Sequence, residues 1–75
     1  MKELIQTIVT NLVDKEESVV VKEVQGSLTD IIEVTADASD VGKIIGKQGN
    51  TAKAIRTIMK AAAKKRGKKY ILNIA

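Results

Sequence analysis

Two glycines, Gly46 and Gly49, interrupt the second half of the chain at a spacing of three residues. The apolar pattern on both sides is helical, so the segment predicts a short helix over about 40–45, a tight loop, and a second helix beginning at Asn50 or Thr51. Glycine is favoured where the backbone turns sharply or where another molecule approaches it closely. This helix–loop–helix arrangement constrains the fold more than any other feature of the sequence.

The rest of the sequence supplies a further helix and three strands. Apolar residues recur at helical spacing over about 2–14, which predicts an amphipathic helix. β-Branched residues cluster at 19–24 and alternate with polar residues over 28–36, with Gly26 between them free to take a positive φ. This pattern predicts an antiparallel hairpin. A last strand is predicted at 70–75. The sequence therefore predicts an α+β fold of order α-β-β-α-α-β, in which helices cover one face of a three-stranded sheet.

The long helix after the glycine loop has two faces of different character. One face is apolar and is predicted to be buried; its residues are Ala52, Ile55, Ile58, Met59, Ala62 and Ala63. The other face is basic; its residues are Lys53, Arg56, Lys60 and Lys64. We expect this helix to end at Gly67, and we expect Asp37 or Ser39 to cap the shorter helix that precedes the loop.

Charge is divided unevenly along the 75 residues. Residues 1–40 contain three basic and nine acidic side chains (net −6), whereas residues 41–75 contain ten basic side chains and no acidic one (net +10). A 35-residue segment with basic and no acidic side chains indicates a polyanionic partner. The alternative interpretation is a basic surface that only contacts solvent. For the basic run at 64–69 two interpretations are equally open: direct contact with such a partner, or a helix end that only contacts solvent.

Composition excludes several classes of function. The chain has no Cys and no His, which removes thiolate metal sites, Cys nucleophiles and the commonest general base. The stretch from Gly42 to Lys47 has one residue too few between its glycines for a nucleotide-binding P-loop, and no Ser or Thr follows the lysine. We therefore expect a protein that is not an enzyme, with no cofactor and no metal.

No apolar run approaches the roughly 20 residues that cross a bilayer, and no signal peptide is visible. These features predict a cytoplasmic protein without membrane insertion. A membrane-surface role for the basic helix over 52–66 is a further alternative. It is disfavoured because interfacial helices usually carry Trp, Phe or Leu on the apolar face, and this helix carries Ala, Ile and Met.

The segment Ile45-Gly46-Lys47-Gln48-Gly49 resembles the G-x-x-G loop of KH domains, which clamps four nucleotides. The predicted element order is similar to that of the type II, bacterial KH domain. Over the whole length, and most strongly over 40–57, the chain resembles the KhpA family of small stand-alone bacterial KH proteins. The resemblance implies a single type II KH domain over 1–75, a homodimer or a heterodimer with a KhpB (Jag/EloR)-like protein, and a cytoplasmic role as an RNA chaperone or post-transcriptional regulator.

The loop also suits a nucleic-acid backbone on physical grounds. Amides at a helix N-terminus attract phosphate, Lys47 adds a cation, and the basic face of the following helix extends the positive surface. The candidate single-stranded RNA-binding residues are Lys43, Ile45, Gly46, Lys47, Gln48, Gly49, Asn50, Thr51, Lys53 and Arg56. The pattern leaves RNA and single-stranded DNA undistinguished. The alternative function is a protein-interaction module on a KH scaffold with little RNA binding of its own.

Overall fold

The computed structural model describes residues 1–75. The helices are Lys2–Thr10 (α1), Val41–Ile45 (α2) and Asn50–Arg66 (α3), and the strands are Val20–Gln25 (β1), Thr29–Thr35 (β2) and Lys69–Ile74 (β3). Single 3₁₀ turns occur at Glu16–Ser18 and Lys47–Gly49. The predicted order α-β-β-α-α-β is confirmed. None of the helices has the length and apolarity that crossing a bilayer requires.

The three strands form one sheet in the order β1-β2-β3. β1 and β2 pair antiparallel, with Val21 opposite Val34, whereas β2 and β3 pair parallel, with Ile32 opposite Leu72. These four side chains are buried beneath the helices, and residues of the opposite sheet face such as Val24 are exposed. The helices therefore cover one face, as predicted. The core consists of Ile5, Val9, Val13, Val21, Ile32, Val34, Ile44, Ile55, Met59 and Leu72.

The first helix is shorter than predicted, because α1 ends at Thr10 and not near residue 14. Past this point the backbone N–H groups of Asp14 and Lys15 donate to the Asp40 carboxylate, and the chain leaves the helix. The Asn11 side-chain amide donates to the Thr7 carbonyl and satisfies one of the last helical acceptors. Fewer residues of this segment are buried than the predicted apolar stripe contains, since Leu4 and Leu12 are exposed.

Three local expectations are wrong. Ile58 is 43% exposed, because only residues in line with Ile55 and Met59 face the sheet. Neither Asp37 nor Ser39 caps α2; the Asp37 carboxylate instead accepts hydrogen bonds from the backbone and hydroxyl of Ser39. Gly26 does not take a positive φ. Glycine is needed there because a Cβ would lie 2.6 Å from a backbone oxygen of the same hairpin.

A buried ion pair joins the β1–β2 hairpin to the turn between α3 and β3. The Asp30 carboxylate is fully buried, and Lys68 Nζ lies 3.2 Å from its Oδ1 atom. The ammonium also donates to the Gly26 carbonyl, and the Gly26 N–H donates to Asp30. Removing one partner of such a pair leaves a buried charge unpaired, which is strongly destabilising. Lys68 therefore has a structural role, unlike the solvated or ligand-binding roles considered for the run at 64–69.

A second buried carboxylate, Asp40, fixes the chain entering α2. It accepts hydrogen bonds from the Lys15 and Asp14 amides at 3.0 and 3.3 Å, and Lys43 Nζ lies 3.3 Å from its Oδ1 atom. The Lys15 amide bond is the main reason that the pKa of Asp40 lies below its ordinary value of 3.8. Lys43 also pairs with the Asp14 carboxylate, and this bond is the main cause of its raised pKa.

Acid should therefore weaken the fold through Asp40. Because its pKa is lower in the folded than in the unfolded chain, its contribution is complete above about pH 4 and is lost as the pH falls through the folded pKa. In thermal unfolding followed between pH 6 and pH 2, Asp40→Asn should lose less stability on acidification than the parent. Glu17→Gln removes a carboxylate that has no hydrogen bond or ion pair, and it should follow the parent curve. Equal acid sensitivity of parent and Asp40→Asn would contradict this assignment.

Candidate nucleic-acid interface

The loop between α2 and α3 owes its shape to three residues with positive φ. Gly46 has φ 79° and ψ 174°, Gln48 has φ 57° and ψ 26°, and Gly49 has φ 75° and ψ 11°. The left-handed region is costly for a residue with a Cβ, so the two glycines make this reversal possible and Gln48 is strained. The tight turn predicted from the glycine spacing is confirmed. Its two central side chains, those of Lys47 and Gln48, point into solvent.

Glycine is required at positions 46 and 49 for different physical reasons. A Cβ on Gly46 would lie 2.6 Å from the Cβ atom and 2.8 Å from the backbone nitrogen of Thr51, and it would also meet the Thr51 hydroxyl. A Cβ on Gly49 would meet no atom within 4 Å, so only its φ favours glycine there. The first glycine is therefore required by close packing against the first turn of α3, and the second by backbone conformation alone.

Helix α3 begins beside this loop with favourable electrostatics for an anion. No side chain caps its N-terminus, and its first turn contains no acidic residue. The first amides of a helix lack intrahelical acceptors, and with the helix dipole they attract negative charge. Lys47 and Gln48 flank these amides, and neither makes a side-chain hydrogen bond or ion pair within the protein. The side chains of Lys47 and Gln48 are thus free of internal partners, whereas the Gly49 and Asn50 amides already donate to the Gly46 and Lys47 carbonyls.

A groove leads away from the loop between α3 and β3. The hollow nearest the loop is lined by Ile45, Gly49, Ala52, Arg56, Leu72, Asn73 and Ile74. The next hollow is lined by Lys53, Arg56, Thr57, Met59, Lys60, Tyr70, Ile71 and Leu72. Aliphatic side chains form much of the floor, and basic side chains of α3 stand along one wall. β3 is the edge strand of the sheet, so one side of its backbone pairs with no other strand.

Most of the predicted site residues lie together at this groove and loop. Ile45 is 39% exposed and contributes to the floor next to the loop, and Lys53 and Arg56 line its α3 wall. Asn50 is exposed at the start of α3, whereas half-buried Thr51 packs against Gly46. Of the remaining loop residues, Gly49 lines the hollow next to the loop, whereas Gly46, Lys47 and Gln48 line no part of the groove.

Lys43 differs from the other candidates. Its ammonium pairs with Asp14 and Asp40, and it lines none of the hollows between α3 and β3. A ligand would have to compete with both carboxylates for this cation. Its assignment to the site stays a prediction, with an internal role that the sequence did not reveal.

The sequence reasoning missed the wall that β3 provides. Tyr70, Leu72 and Asn73 line the groove, together with Lys60 of the basic α3 face. Alternation over 70–75 predicted the strand correctly, but no pattern in that segment indicates which strand lies at the sheet edge beside α3. The parallel pairing of β2 with β3 decides this placement.

Substitution of the loop glycines should separate their two roles. Gly46→Ala should destabilise the protein by about 2–3 kcal/mol, because it combines a glycine-only conformation with a clash against Thr51. Gly49→Ala should cost about 1 kcal/mol from its φ alone. Gly42→Ala, in a helix with open space around the new Cβ, should be neutral or stabilising and is the control. Urea unfolding of the three variants measures the order, and equal effects at 46 and 42 would contradict it.

Comparison with known proteins supplies the family. The family profile described as "KhpA/KhpB, KH domain" matches residues 2–74. An "RNA-binding protein KhpA" of Clostridium perfringens is 53% identical over 74 residues, covering 99% of both chains. One of Chlamydia trachomatis is also 53% identical over 74 residues, covering 99% of this chain and 95% of the relative.

Similarity extends to a more distant bacterium. The "RNA-binding protein KhpA" of Aquifex aeolicus is 40% identical over 74 residues, covering 99% of this chain and 94% of the relative. No solved structure shows significant similarity to the chain. The G-x-x-G loop, the element order and these full-length similarities agree, and the chain belongs to the KhpA/KhpB KH-domain family.

Proposed function

We propose that this protein binds single-stranded RNA through the loop over 46–49 and the adjoining groove between α3 and β3. One observation carries the proposal: three features occur side by side. They are a solvent-exposed G-x-x-G loop, a helix N-terminus that no side chain caps, and a groove with unpaired basic side chains along one wall. The relatives from Clostridium perfringens and Chlamydia trachomatis carry the name RNA-binding protein. The family is one of non-catalytic domains, in agreement with the expectation that the chain is not an enzyme.

Each part of the site has a distinct task in this proposal. The α3 N-terminus and Lys47 hold backbone phosphates, and Gly46 and Gly49 let the RNA backbone approach the loop closely. Bases lie against the aliphatic floor that Ile45 and Leu72 help to form. The unpaired backbone groups of edge strand β3 offer hydrogen bonds to base edges, which is the kind of contact that discriminates unstacked bases.

Affinity of one domain is expected to be modest. Stacking on aromatic side chains contributes roughly 1–3 kcal/mol per base in many single-strand-binding proteins. Tyr70 is the one aromatic residue of this chain, and its hydroxyl end is buried. Phosphate contacts therefore carry a large share of the binding energy. The logarithm of the affinity should fall with the logarithm of salt concentration by about 0.7 for each neutralised phosphate.

We also propose that the protein forms a homodimer through the face of α3 that carries Ala54, Ile58 and Ala61. These three residues are exposed, and this face is uncharged between Thr51 and Ala62. Small residues allow two helices to approach closely, and the face lies away from the basic one, so both RNA grooves stay accessible. Two linked sites on one RNA gain affinity through effective concentration.

Membership of the KhpA/KhpB family supports a proposal for the biological setting. We propose a cytoplasmic RNA chaperone or post-transcriptional regulator that exchanges its homodimer for a heterodimer with a KhpB-like protein. In this proposal both assemblies use the same α3 face, so the two forms compete. Mixing the purified protein with a KhpB-like protein and measuring the mass of the complexes tests this part.

A change of loop charge tests the RNA site. Lys47→Asp combined with Gln48→Asp places two negative charges at the proposed phosphate site and leaves both glycines in place. We expect RNA affinity, measured by fluorescence anisotropy with a labelled mixed-sequence RNA, to fall at least about tenfold, which is about 1.4 kcal/mol. Parent binding should weaken between 50 and 200 mM salt.

The control for this variant keeps its change in net charge while sparing the loop. Lys2→Asp with Gln6→Asp, both on the exposed side of α1, makes the same substitutions at positions away from the groove. This control should retain parent affinity. Equal binding by the loop variant would move the RNA contact to the general basic surface. If the folded parent binds no RNA, the protein-interaction alternative is favoured.

The dimer has its own test. Ile58→Asp should keep the fold, since that side chain is 43% exposed, but should shift the protein to monomer at concentrations where the parent sediments as a dimer. Val24→Asp, at an exposed apolar residue of the outer sheet face, is the matched control and should leave the dimer intact. A parent that sediments as a monomer throughout, or a dimeric Ile58→Asp variant, would contradict this interface.

A further inference from the structure

We infer that the outer face of the sheet is a self-association surface, on which two copies of this chain pack face to face. The helices cover only the opposite face, so no element of the chain covers this one. The surface is separate from the loop, from the groove between α3 and β3, and from the α3 face that carries Ile58. The inference therefore goes beyond the proposed function and does not depend on it.

The strand register places three apolar side chains in one row across the outer face. Val24 of β1 lies opposite Ile31 of β2, and Ile31 lies opposite Ile71 of β3. Their chain neighbours Ile32 and Leu72 are buried beneath the helices, and side chains alternate between the faces of a sheet, so the row points outwards. Val24 is 53% exposed and Ile71 is 39% exposed. A row that spans all three strands differs from single apolar residues scattered over a surface, which are common in monomers.

Charged side chains of opposite sign flank this apolar row. The next row on one side contains Lys22, Glu33 and Asn73, and the next row on the other side contains Thr29 and Lys69. Glu33 is exposed and forms no ion pair, although Lys22 lies directly opposite it. Lys69 is also exposed and unpaired. The outer face thus carries an anion and a cation, one on each side of the apolar row, that have no partner within the chain.

A two-fold axis along the apolar row makes the face complementary to itself. It places the apolar rows of two copies on each other, and it places the Lys69 row of each copy over the Glu33 row of the other. Each Lys69 then lies about one strand spacing, or about 4.8 Å, to the side of Glu33 of the second copy. The strands of the two sheets stay nearly aligned, as in sheet sandwiches.

The alternative two-fold axis, along the strands, is disfavoured by charge. It would place Glu33 of one copy opposite Glu33 of the other, and like charges repel. The arrangement of charges therefore favours a second copy as the occupant of this face and favours one orientation for it.

The size of the face sets the strength of the contact. Three strands of about six residues cover an area of about 14 Å by 20 Å, which is well below the roughly 800 Å² per partner of a stable complex. The contact should therefore be weaker than a stable dimer and should form at high protein concentration. A protomer that uses this face together with the proposed α3 interface joins dimers into larger assemblies.

Self-association of the Ile58→Asp variant tests the apolar row. This background removes the proposed α3 dimer, and the test is valid whether or not that dimer forms. Sedimentation velocity between about 0.02 and 1 mM protein should show reversible association of the background towards a dimer. Adding Val24→Asp should abolish this association, because the axis places the two new carboxylates opposite each other. Adding Leu12→Asp, at an exposed apolar residue of α1, is the matched control and should leave it unchanged.

Exchange of the two charges tests the orientation. In the same background, Glu33→Lys and Lys69→Glu should each raise the dissociation constant at least about fivefold, because each replaces two attractive contacts by two repulsive ones. An equimolar mixture of the two variants should recover the association of the background. In the mixed dimer every lysine at one of these positions again faces a glutamate of the other copy.

A control pair separates this contact from general charge attraction. Glu17→Lys and Lys2→Glu change the net charge in the same two ways at exposed residues that form no ion pair, and mixing them should give no gain. The inference is wrong if the background stays monomeric up to about 1 mM, a concentration at which even weak contacts are populated. It is also wrong if Val24→Asp associates like the background, or if mixing the charge variants restores no more association than mixing the control pair. None of these outcomes bears on RNA binding.

Discussion

Parallel pairing of β2 with β3 is the constraint on which the rest of the structure depends. Parallel neighbours cannot be joined by a tight hairpin, so residues 36–68 must cross the sheet before the chain can return. That crossover contains α2, the loop and α3, and it covers the apolar sheet face on the way. Within this crossover α3 lies beside β3, and the two elements run in opposite directions. The groove and the loop at its end are therefore products of the topology and need no dedicated scaffold of their own.

Much of this arrangement was predictable from sequence because apolar periodicity reports local structure. The element order, the loop and the αL residue Gly67 at the end of α3 all follow from patterns within a few residues. Ile58 was assigned to the core because periodicity shows which face is apolar but not how wide a stripe the sheet covers. The β3 wall of the site was missed for a related reason, since strand order is a long-range property.

The buried carboxylates illustrate the limit most clearly. Asp30 and Asp40 receive hydrogen bonds from groups 38 and 25–26 residues away, and no local pattern marks them as different from exposed acids. Their partners Lys68 and Lys43 come from the basic half of the chain. The two halves are thus joined by buried charge, and the other eight basic side chains after residue 40 form no ion pair. The basic half of the sequence therefore divides into two lysines that support the fold and eight basic side chains that form a positive surface without ion pairs.

The loop has a consequence for how such a domain can diverge. Its course depends on Gly46 and Gly49, whereas the side chains of Lys47 and Gln48 contact no part of the core. Charge and hydrogen-bonding character at these two positions can therefore change with little effect on folding. The one restriction is the left-handed conformation at Gln48, which glycine or asparagine adopts with less strain. Substitution at these two neighbouring positions can therefore change the charge of the loop while the scaffold stays the same.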